Sequence, residues 1–176
     1  MKILLGITGS IAAYRMPNFI SQGRKAGHEF RVVVSEHALD FVAAQSLAIM
    51  SQHACYRDQD EWGDSDSVLH IELAKWCEIC LIAPLTANTL AKLANGLCDN
   101  LLTSVTRALG EKPLIVAPAM NTRMWESPFT TEHLDQLSHH YELTVIPPTN
   151  KVLADGDEGP GALAEDDTIL QALNNF

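Results

Sequence analysis

Short apolar runs alternate along this chain with stretches whose apolar residues follow a helical period. The runs are rich in β-branched residues and mostly lack in-out alternation, which is typical of strands buried on both faces of a parallel sheet. Their alternation with helical stretches predicts an α/β fold with crossover helices on both faces. The predicted strands are residues 3–7, 30–34, 79–83, 114–117 and 143–146. The predicted helices are residues 10–26, 38–50, 86–94, 100–109 and 127–141.

Two segments between these elements are predicted to be exposed loops. Residues 56–67 are acidic and contain Gly63, whereas residues 149–161 are rich in Gly, Pro and Asp. Loops of this length often act as lids over a binding site. The chain shows no internal repeat and no low-complexity linker, and 47% of its 176 residues are hydrophobic. We therefore expect residues 1–176 to form a single domain.

Charge and hydropathy narrow the classes of partner. The formal net charge is −10, with 12 basic and 22 acidic residues, which argues against a nucleic-acid surface because such surfaces need clustered cations. No apolar run approaches the ~20 residues that span a bilayer, and the first residues show no signal-peptide cleavage site. We expect a cytoplasmic protein that binds neither nucleic acid nor membrane and whose substrate is a small molecule.

The cysteines include a C-x-x-C pair, Cys77 and Cys80, which raises the possibility of a redox or zinc site. The pair falls at the entry to a predicted strand, and no second Cys or His pair completes a tetrahedral site. Apolar core thiols are the better interpretation, and no metal is expected.

The first predicted strand leads into a stretch of small residues, Gly6 to Ala13, that opens the next helix. Small residues allow a ligand close to the backbone, and N–H groups at a helix start attract anions. A phosphate cradle and an ordinary strand-to-helix turn both fit this stretch. Because it lacks both G-x-G-x-x-G and a P-loop lysine, it favours a mononucleotide. Ser35 and Thr86 follow two other strands, so three polar strand ends should share one edge of the sheet.

An amide, a thioether and an indole, at Asn121, Met124 and Trp125, follow the predicted strand at residues 114–117. Ligands of open α/β sheets bind at the carboxyl ends of the strands, which makes these side chains candidates for binding one. A turn and a helix start capped by Asn121 is the alternative interpretation.

Two segments carry a specific resemblance to a known family. Residues 84–89, P-L-T-A-N-T, resemble P-A-S-A-N-T, and residues 118–125, P-A-M-N-T-R-M-W, resemble P-x-M-N-x-x-M-W. Both patterns belong to the homo-oligomeric flavin-containing cysteine decarboxylases. Similarity at residues 68–73, 96–102 and 151–165 extends the resemblance over nearly the whole chain, and it is strongest to the phosphopantothenoylcysteine decarboxylases of plants and animals.

The resemblance implies a flavodoxin-like (Rossmann-type) three-layer sandwich with a parallel sheet, FMN as cofactor, and a homo-oligomer. A trimer, or a multiple of it, would have the flavin near a subunit interface. The implied reaction converts 4′-phosphopantothenoylcysteine to 4′-phosphopantetheine in coenzyme A biosynthesis, through flavin-dependent oxidation of the thiol to a thioaldehyde. The cofactor supplies the redox chemistry, so the protein must supply a base for the thiol, a clamp for the carboxylate and walls that exclude water.

The same resemblance assigns roles to individual residues. His70 is the implied catalytic base, although a histidine among apolar neighbours is also compatible with a structural role. Asn121 would be catalytic and hydrogen-bond the carboxylate or amide of the substrate, and Met124 would shape the substrate pocket. The residues implied in FMN binding are Gly9, Ser10, Ile11, Ser35, Thr86, Ala87, Asn88, Thr89 and Ala119, with Ser104 as a further candidate.

One departure from the family pattern concerns the late loop, which reads A-C-G-D-x-G in phosphopantothenoylcysteine decarboxylases. Here Asp155 replaces that cysteine, which in the family supplies the proton for the reductive half of the reaction. Three hypotheses follow. The chain is a complete decarboxylase in which Asp155 or water acts as the proton donor, an oxidative decarboxylase of a C-terminal peptide cysteine of the lantibiotic type, or a non-catalytic FMN-binding regulatory subunit.

Overall fold

Six parallel strands form the central sheet, in the order β3-β2-β1-β4-β5-β6. This computed structural model describes residues 1–62, 68–153, 156 and 158–176. The predicted α/β fold with a parallel sheet is confirmed, with the short edge strand β3 as an addition. The strands of the sheet are β1 Lys2–Ile7, β2 Glu29–Val34, β3 Cys55–Tyr56, β4 Ile79–Leu85, β5 Leu114–Pro118 and β6 Leu143–Val145.

Helices cover both faces of this sheet. The predicted helix at residues 10–26 begins as a 3-10 turn, Ile11–Arg15, and becomes α-helical near Pro17, because proline is favoured in the first helical turn. Another 3-10 turn, Glu36–Asp40, precedes α2. The helices are α1 Met16–Lys25, α2 Ala44–Ser51, α3 Asp58–Glu61, α4 Leu69–Trp76, α5 Ala87–Ala94, α6 Leu101–Arg107, α7 Thr122–Trp125, α8 Pro128–Ser138 and α9 Asp166–Leu173.

Both loop predictions need correction. Residues 56–67 contain the short helix α3 at their start, and residues 63–67 lie outside the described part of the chain. Residues 149–161 contain most of an antiparallel hairpin, β7 Thr149–Val152 and β8 Glu158–Ala162. Glycine and proline indicated a loop, but pairing and docking against the rest of the chain impose a regular conformation on them.

Two apolar cores lie on opposite faces of the sheet. Successive residues of β1 alternate between them, since Ile3, Leu5 and Ile7 join one core whereas Leu4 joins the other. Helices α1, α2 and α9 bury side chains in the first core, and α4, α5, α6 and α8 in the second. Each fully buried Leu, Ile or Phe contributes about 1.5–3 kcal/mol, so these cores hold the three layers together.

The C-x-x-C pair belongs to the second core. Cys80 is completely buried and Cys77 nearly so. Burial raises the pKa of both thiols, which keeps them in the neutral, weakly reactive form. Their interpretation as core residues is confirmed. Among the residues that the structure describes, no three His, Cys, Asp or Glu side chains are grouped in a way that would hold a metal ion.

In the part of the chain that the structure describes, no helix is both long and apolar enough to cross a bilayer.

Lys112 anchors the carboxyl end of α4. Its ammonium group donates to the carbonyl oxygens of Ala74 at 2.5 Å, Lys75 at 3.0 Å and Cys77 at 2.6 Å. The last carbonyls of a helix have no partner within the helix, and a cation there also interacts favourably with the helix dipole. Lys112 therefore joins α4 to the segment that enters β5.

Replacing Lys112 with Met should lower the free energy of unfolding by about 1–3 kcal/mol, because three carbonyl groups lose a charged donor. Urea denaturation measures the change. Lys25→Met is the matched control, since Lys25 is an exposed lysine in the last turn of α1. Equal stability of the two variants would contradict an anchoring role for Lys112.

Candidate functional site

A cleft of about 1190 Å³ opens at the carboxyl edge of the sheet. It lies where the strand order reverses, between β1 and β4, and this switch point is where open α/β sheets bind ligands. Predicted site residues that follow β1, β4 and β5 meet there, whereas Ser35, which follows β2, is not part of the lining. The predicted residues that line the cleft are Gly9, Ser10, Ile11, Thr86, Ala87, Asn88, Ala119, Asn121 and Met124.

Thr8 joins the ends of β1 and β4 beneath this cleft. Its side chain is completely buried. The hydroxyl donates to the carbonyl oxygen of Pro84 at 2.7 Å and accepts from the backbone N–H of Thr86 at 2.9 Å. One hydroxyl therefore uses both its donor and an acceptor position to fix the spacing between two of the segments that form the cleft.

Backbone N–H groups are available where these segments turn into helices. Ser10 caps the first 3-10 turn, and the Thr86 hydroxyl caps α5 by accepting from the N–H of Thr89. Within the described chain, the N–H groups of Ala87 and Asn88 have no hydrogen-bond partner, and both residues line the cleft. The start of α5 can therefore bind an anionic group.

Gly9 is required by close packing at this turn. A Cβ atom on Gly9 would lie 2.7 Å from the Cβ of His37 and 3.2 Å from its carbonyl carbon. A larger residue would push apart the turn after β1 and the turn after β2. The small residues in this stretch therefore bring two backbone segments into contact.

Asn121 caps a helix and also lines the cleft, so the two interpretations that the sequence offered are compatible. Its Oδ1 accepts from the N–H of Arg123 at 2.8 Å and caps α7, and the residue also lines the cleft. Met124 lies one turn further along α7 and is 49% exposed. The cap fixes the orientation of the Asn121 amide, and the exposed thioether of Met124 forms an apolar wall beside it.

The β7-β8 hairpin forms the outer wall of the cleft. Residues 151–153 and 161–163 contribute to the lining. The Met120 N–H donates to the carbonyl oxygen of Gly161 at 3.0 Å. A Cβ atom on Gly161 would lie 2.3 Å from the Met120 carbonyl oxygen, so only glycine permits this contact. The hairpin is thus docked directly against the segment that carries Asn121.

Arg15, which sequence reasoning missed, fastens the base of the hairpin. Its guanidinium donates to the carbonyl oxygens of Leu163 and Ala164, both at 2.9 Å, and to Asp166 at 2.6 Å. The Arg15 side chain is 17% exposed and that of Asp166 is 14% exposed, so this ion pair is well shielded from water. The contact joins the turn after β1 to the chain just after β8.

Lys151 provides a second cation at the cleft. Its ammonium lies 2.5 Å from Glu165, and both side chains are about half exposed. Hydrogen bonding to Lys151 lowers the pKa of the Glu165 carboxyl. Arg15 and Lys151 both line the cleft, together with Glu165, Asp166 and Asp167, so cations from the turn and the hairpin occur beside an acidic helix start.

Four predicted site residues that the structure describes lie outside the cleft lining. Ser35 follows β2 at the same edge of the sheet, and its N–H donates to Ile7. The hydroxyl of Thr89 accepts from that of Thr86. Ser104 is in the middle of α6, and His70 is in the first turn of α4. The fifth, Asp155, lies outside the described residues.

The position of His70 follows from the topology. Helix α4 ends at Trp76 and β4 begins at Ile79, so the helix runs antiparallel to that strand. The start of α4 is therefore at the carboxyl end of the sheet. His70 is nevertheless not among the residues that line the cleft, although the start of α5, which packs on the same face as α4, is. Among the described residues that line the cleft there is no histidine.

Comparisons with known proteins agree with this architecture. The family model described as Flavoprotein matches residues 1–176. Phosphopantothenoylcysteine decarboxylase from Arabidopsis thaliana is 45% identical over 99% of this chain and 84% of its own length. A PPC decarboxylase mutant with serine in place of a cysteine, complexed with pantothenoylaminoethenethiol, has a TM-score of 0.91 and 46% identity, covering 99% of this chain and 97% of that one. The FMN binding protein AtHal3 has a TM-score of 0.87 and 46% identity, and the match covers 99% of this chain and 95% of that chain.

Replacing Arg15 with Met should loosen the hairpin, because two carbonyl groups and a shielded carboxylate lose their donor. We expect faster amide hydrogen exchange across residues 149–162 and a loss of about 1–3 kcal/mol in unfolding free energy. Exchange followed by mass spectrometry measures the first effect and urea denaturation the second.

Arg24→Met is the matched control for the Arg15 variant, since Arg24 makes one exposed hydrogen bond, to Met50. Hairpin exchange that stays at the wild-type rate in Arg15→Met would contradict the fastening role.

Proposed function

Because this chain belongs to the Flavoprotein family and, within it, to the phosphopantothenoylcysteine decarboxylases, we propose that it is an FMN-dependent carboxy-lyase acting on 4′-phosphopantothenoylcysteine. The product would be 4′-phosphopantetheine, an intermediate of coenzyme A biosynthesis. The observation that carries the proposal is the meeting of the two motif segments, residues 84–89 and 118–125, at one cleft.

The residues of the cleft fit FMN. Its volume of about 1190 Å³ exceeds the ~300–1,000 Å³ of common ligand pockets, which leaves room for a flavin and a substrate together. The N–H groups at Ala87 and Asn88 suit an anionic or carbonyl group, and the contact between Gly9 and His37 keeps the turn after β1 tight. When bound, FMN would supply the electron acceptor for oxidation of the substrate thiol.

The chain's own residues bind and orient the substrate in this proposal. The Asn121 amide would hydrogen-bond the substrate carboxylate or amide, and Met124 would exclude water on one side. The hairpin, held by Arg15 and by the Met120 contact, would close the other side. Lys151 is a cation beside the cleft that suits a phosphorylated substrate.

A trimer, or a multiple of it, is part of the proposal, because His70 is not among the residues that line the cleft of its own chain. We expect His70 of one copy to face the cleft of another and to accept the proton of the substrate thiol. Its side chain is 27% exposed. Near it in sequence, Trp62 is 87% exposed and Val68 is 55% exposed, and apolar surface of this kind favours association between copies.

The proposal includes a cytoplasmic location, which the cysteines support. Cys55, Cys77, Cys80 and Cys98 are all free thiols, and free thiols are typical of proteins in reducing compartments.

Asp155 favours a second candidate, an oxidative decarboxylase that releases an ene-thiol. The family pattern has a cysteine at this position as proton donor for the reductive step, and aspartate replaces it here. The relative complexed with pantothenoylaminoethenethiol is a cysteine-to-serine mutant. An ene-thiol is the species that remains when oxidation and loss of carbon dioxide are not followed by reduction.

The two candidates differ in their products, which mass spectrometry resolves after incubation of the FMN-loaded protein with 4′-phosphopantothenoylcysteine under anaerobic conditions. Loss of carbon dioxide alone identifies the complete decarboxylase. Loss of carbon dioxide and two hydrogens, with bleached flavin absorbance, identifies the oxidative enzyme. We expect Asp155→Cys to increase the share of the fully reduced thiol, because a thiol then replaces the carboxylate as proton donor.

Asp157→Cys, which adds a thiol two residues further along, is the control for position. An unchanged product distribution in Asp155→Cys would contradict the role assigned to residue 155. Absence of any product from the wild-type protein would contradict the proposed function and favour a peptide substrate or the FMN-binding regulatory role.

Mixed oligomers test the shared site. His70→Asn and Asn121→Asp should each bind FMN but lose turnover, the first through loss of the base and the second through repulsion between carboxylates. In randomly mixed trimers, one site in about four combines an intact cleft with an intact His70 from the neighbour, so activity should return to about a quarter of wild type.

The control mixes His70→Asn with a chain that carries both His70→Asn and Asn121→Asp. No site in these trimers has an intact His70, so no activity should return. Mixed trimers of the two single variants that stay inactive would show that His70 and Asn121 act within one chain. Wild-type turnover in His70→Asn alone would remove His70 as the base.

A further inference from the structure

Glu61 at the end of α3 holds the side chain of His70. Its Oε1 contacts the imidazole Nδ1, and its Oε2 accepts from the His70 backbone N–H at 3.1 Å. The Glu61 side chain is 6% exposed, compared with 27% for His70. The carboxylate is therefore enclosed while part of the imidazole reaches the surface.

The start of α4 explains why an enclosed carboxylate is stable there. The first N–H groups of a helix have no partner within the helix, and the helix dipole favours a negative charge at that end. Glu61 accepts from one of these N–H groups with one oxygen and from the imidazole with the other. Both oxygens are therefore used, which compensates the cost of burying the charge.

The position of Glu61 is itself fixed by the rest of α3. Asp58 Oδ1 accepts from the N–H of Leu101 at 2.9 Å, at the start of α6. Asp60 Oδ2 accepts from the N–H of Arg57 at 2.8 Å. A helix of four residues is not stable alone; the Asp60 contact caps α3 at its start, and the Asp58 contact ties α3 to α6, which keeps Glu61 beside His70.

A carboxylate acceptor at Nδ1 determines which imidazole nitrogen carries the proton. In the neutral ring, Nδ1 then holds the hydrogen and Nε2 has a free lone pair. Nε2 makes no hydrogen bond to any residue in the described part of the chain. It is therefore the nitrogen available to accept a proton from a ligand.

We propose that Glu61 is a positioning residue for the base of this enzyme: it fixes the His70 ring and its Nδ1–H tautomer so that Nε2 accepts the thiol proton. This inference rests on the proposed function. In the step concerned, the substrate S–H bond breaks, its electron pair stays on sulfur, and a new N–H bond forms at Nε2. Glu61 then stabilises the resulting imidazolium through the hydrogen bond at Nδ1.

The test compares Glu61→Gln, Glu61→Asp and Glu72→Gln in FMN-loaded protein. Glu72→Gln is the matched control, because Glu72 is an exposed acid on the same helix, α4. We expect Glu61→Gln to lower kcat by on the order of 10²-fold, within the ~10²–10⁴-fold that a general base contributes. KM and FMN affinity should stay near wild type, because Glu61 is outside the cleft lining. Glu61→Asp, which keeps the carboxylate, should recover part of the loss.

Nitrogen-15 NMR of the imidazole, assigned with His70→Asn, reports the tautomer without any turnover. The wild-type neutral ring should carry its proton on Nδ1, and Glu61→Gln should shift the population towards Nε2–H. Nε2–H as the main wild-type tautomer would overturn the inference even if the Glu61→Gln chain failed to fold. Wild-type kcat in Glu61→Gln would overturn it too.

These outcomes separate the inference from the proposed function. If Glu61→Gln keeps wild-type kcat while His70→Asn is inactive, the positioning role of Glu61 is contradicted and the proposed function stands. Full activity of His70→Asn contradicts the role of His70 as the catalytic base, and with it this part of the proposed function.

Discussion

The cleft depends on the hydrogen bonds of one buried hydroxyl. Thr8 donates to Pro84 and accepts from the N–H of Thr86, and so locks the ends of β1 and β4 together at the point where the strand order reverses. A buried polar group left without partners costs about 1–3 kcal/mol, so the pairing of these two strand ends is favoured over any arrangement that separates them. The turn at Gly9 and the start of α5 follow directly from these strand ends, and their relative positions depend on the same contact.

The outer wall of the cleft depends on a second set of contacts, between segments far apart in sequence. Arg15 bonds to the chain just after β8, and Met120 bonds to Gly161 within it. The hairpin therefore joins the turn after β1 to the segment carrying Asn121. By contrast, His70 lies outside the cleft lining, where Glu61 holds it. In our proposal the chemistry is divided between a binding cleft in one copy and a base from its neighbour, which makes assembly a condition for turnover.

Sequence reasoning succeeded where the signal was local. The strands of the sheet other than β3 were predicted because each is a short apolar run, and the motif segments were placed at strand ends because polar residues follow those runs. Residues 149–161 were mistaken for a loop, because the pairing of β7 with β8 and their docking on Met120 involve residues distant in sequence. Helix α3 was missed because its four residues are polar and its stability comes from contacts with α4 and α6.

The sequence by itself determined the parallel α/β architecture, the family, and the segments that line the cleft. The hydrophobic periodicity and the short motifs that indicate them each involve residues that are close together in the sequence. It also presented Asp155 in place of a family cysteine, which bears on the final step of the reaction. Only the tertiary structure decided that Arg15 fastens the hairpin, that Glu61 holds His70, and that His70 lies outside the cleft lining. Each of these features depends on which residues, separated in the sequence, come into contact once helices cover both faces of the sheet. No short sequence pattern specifies those contacts.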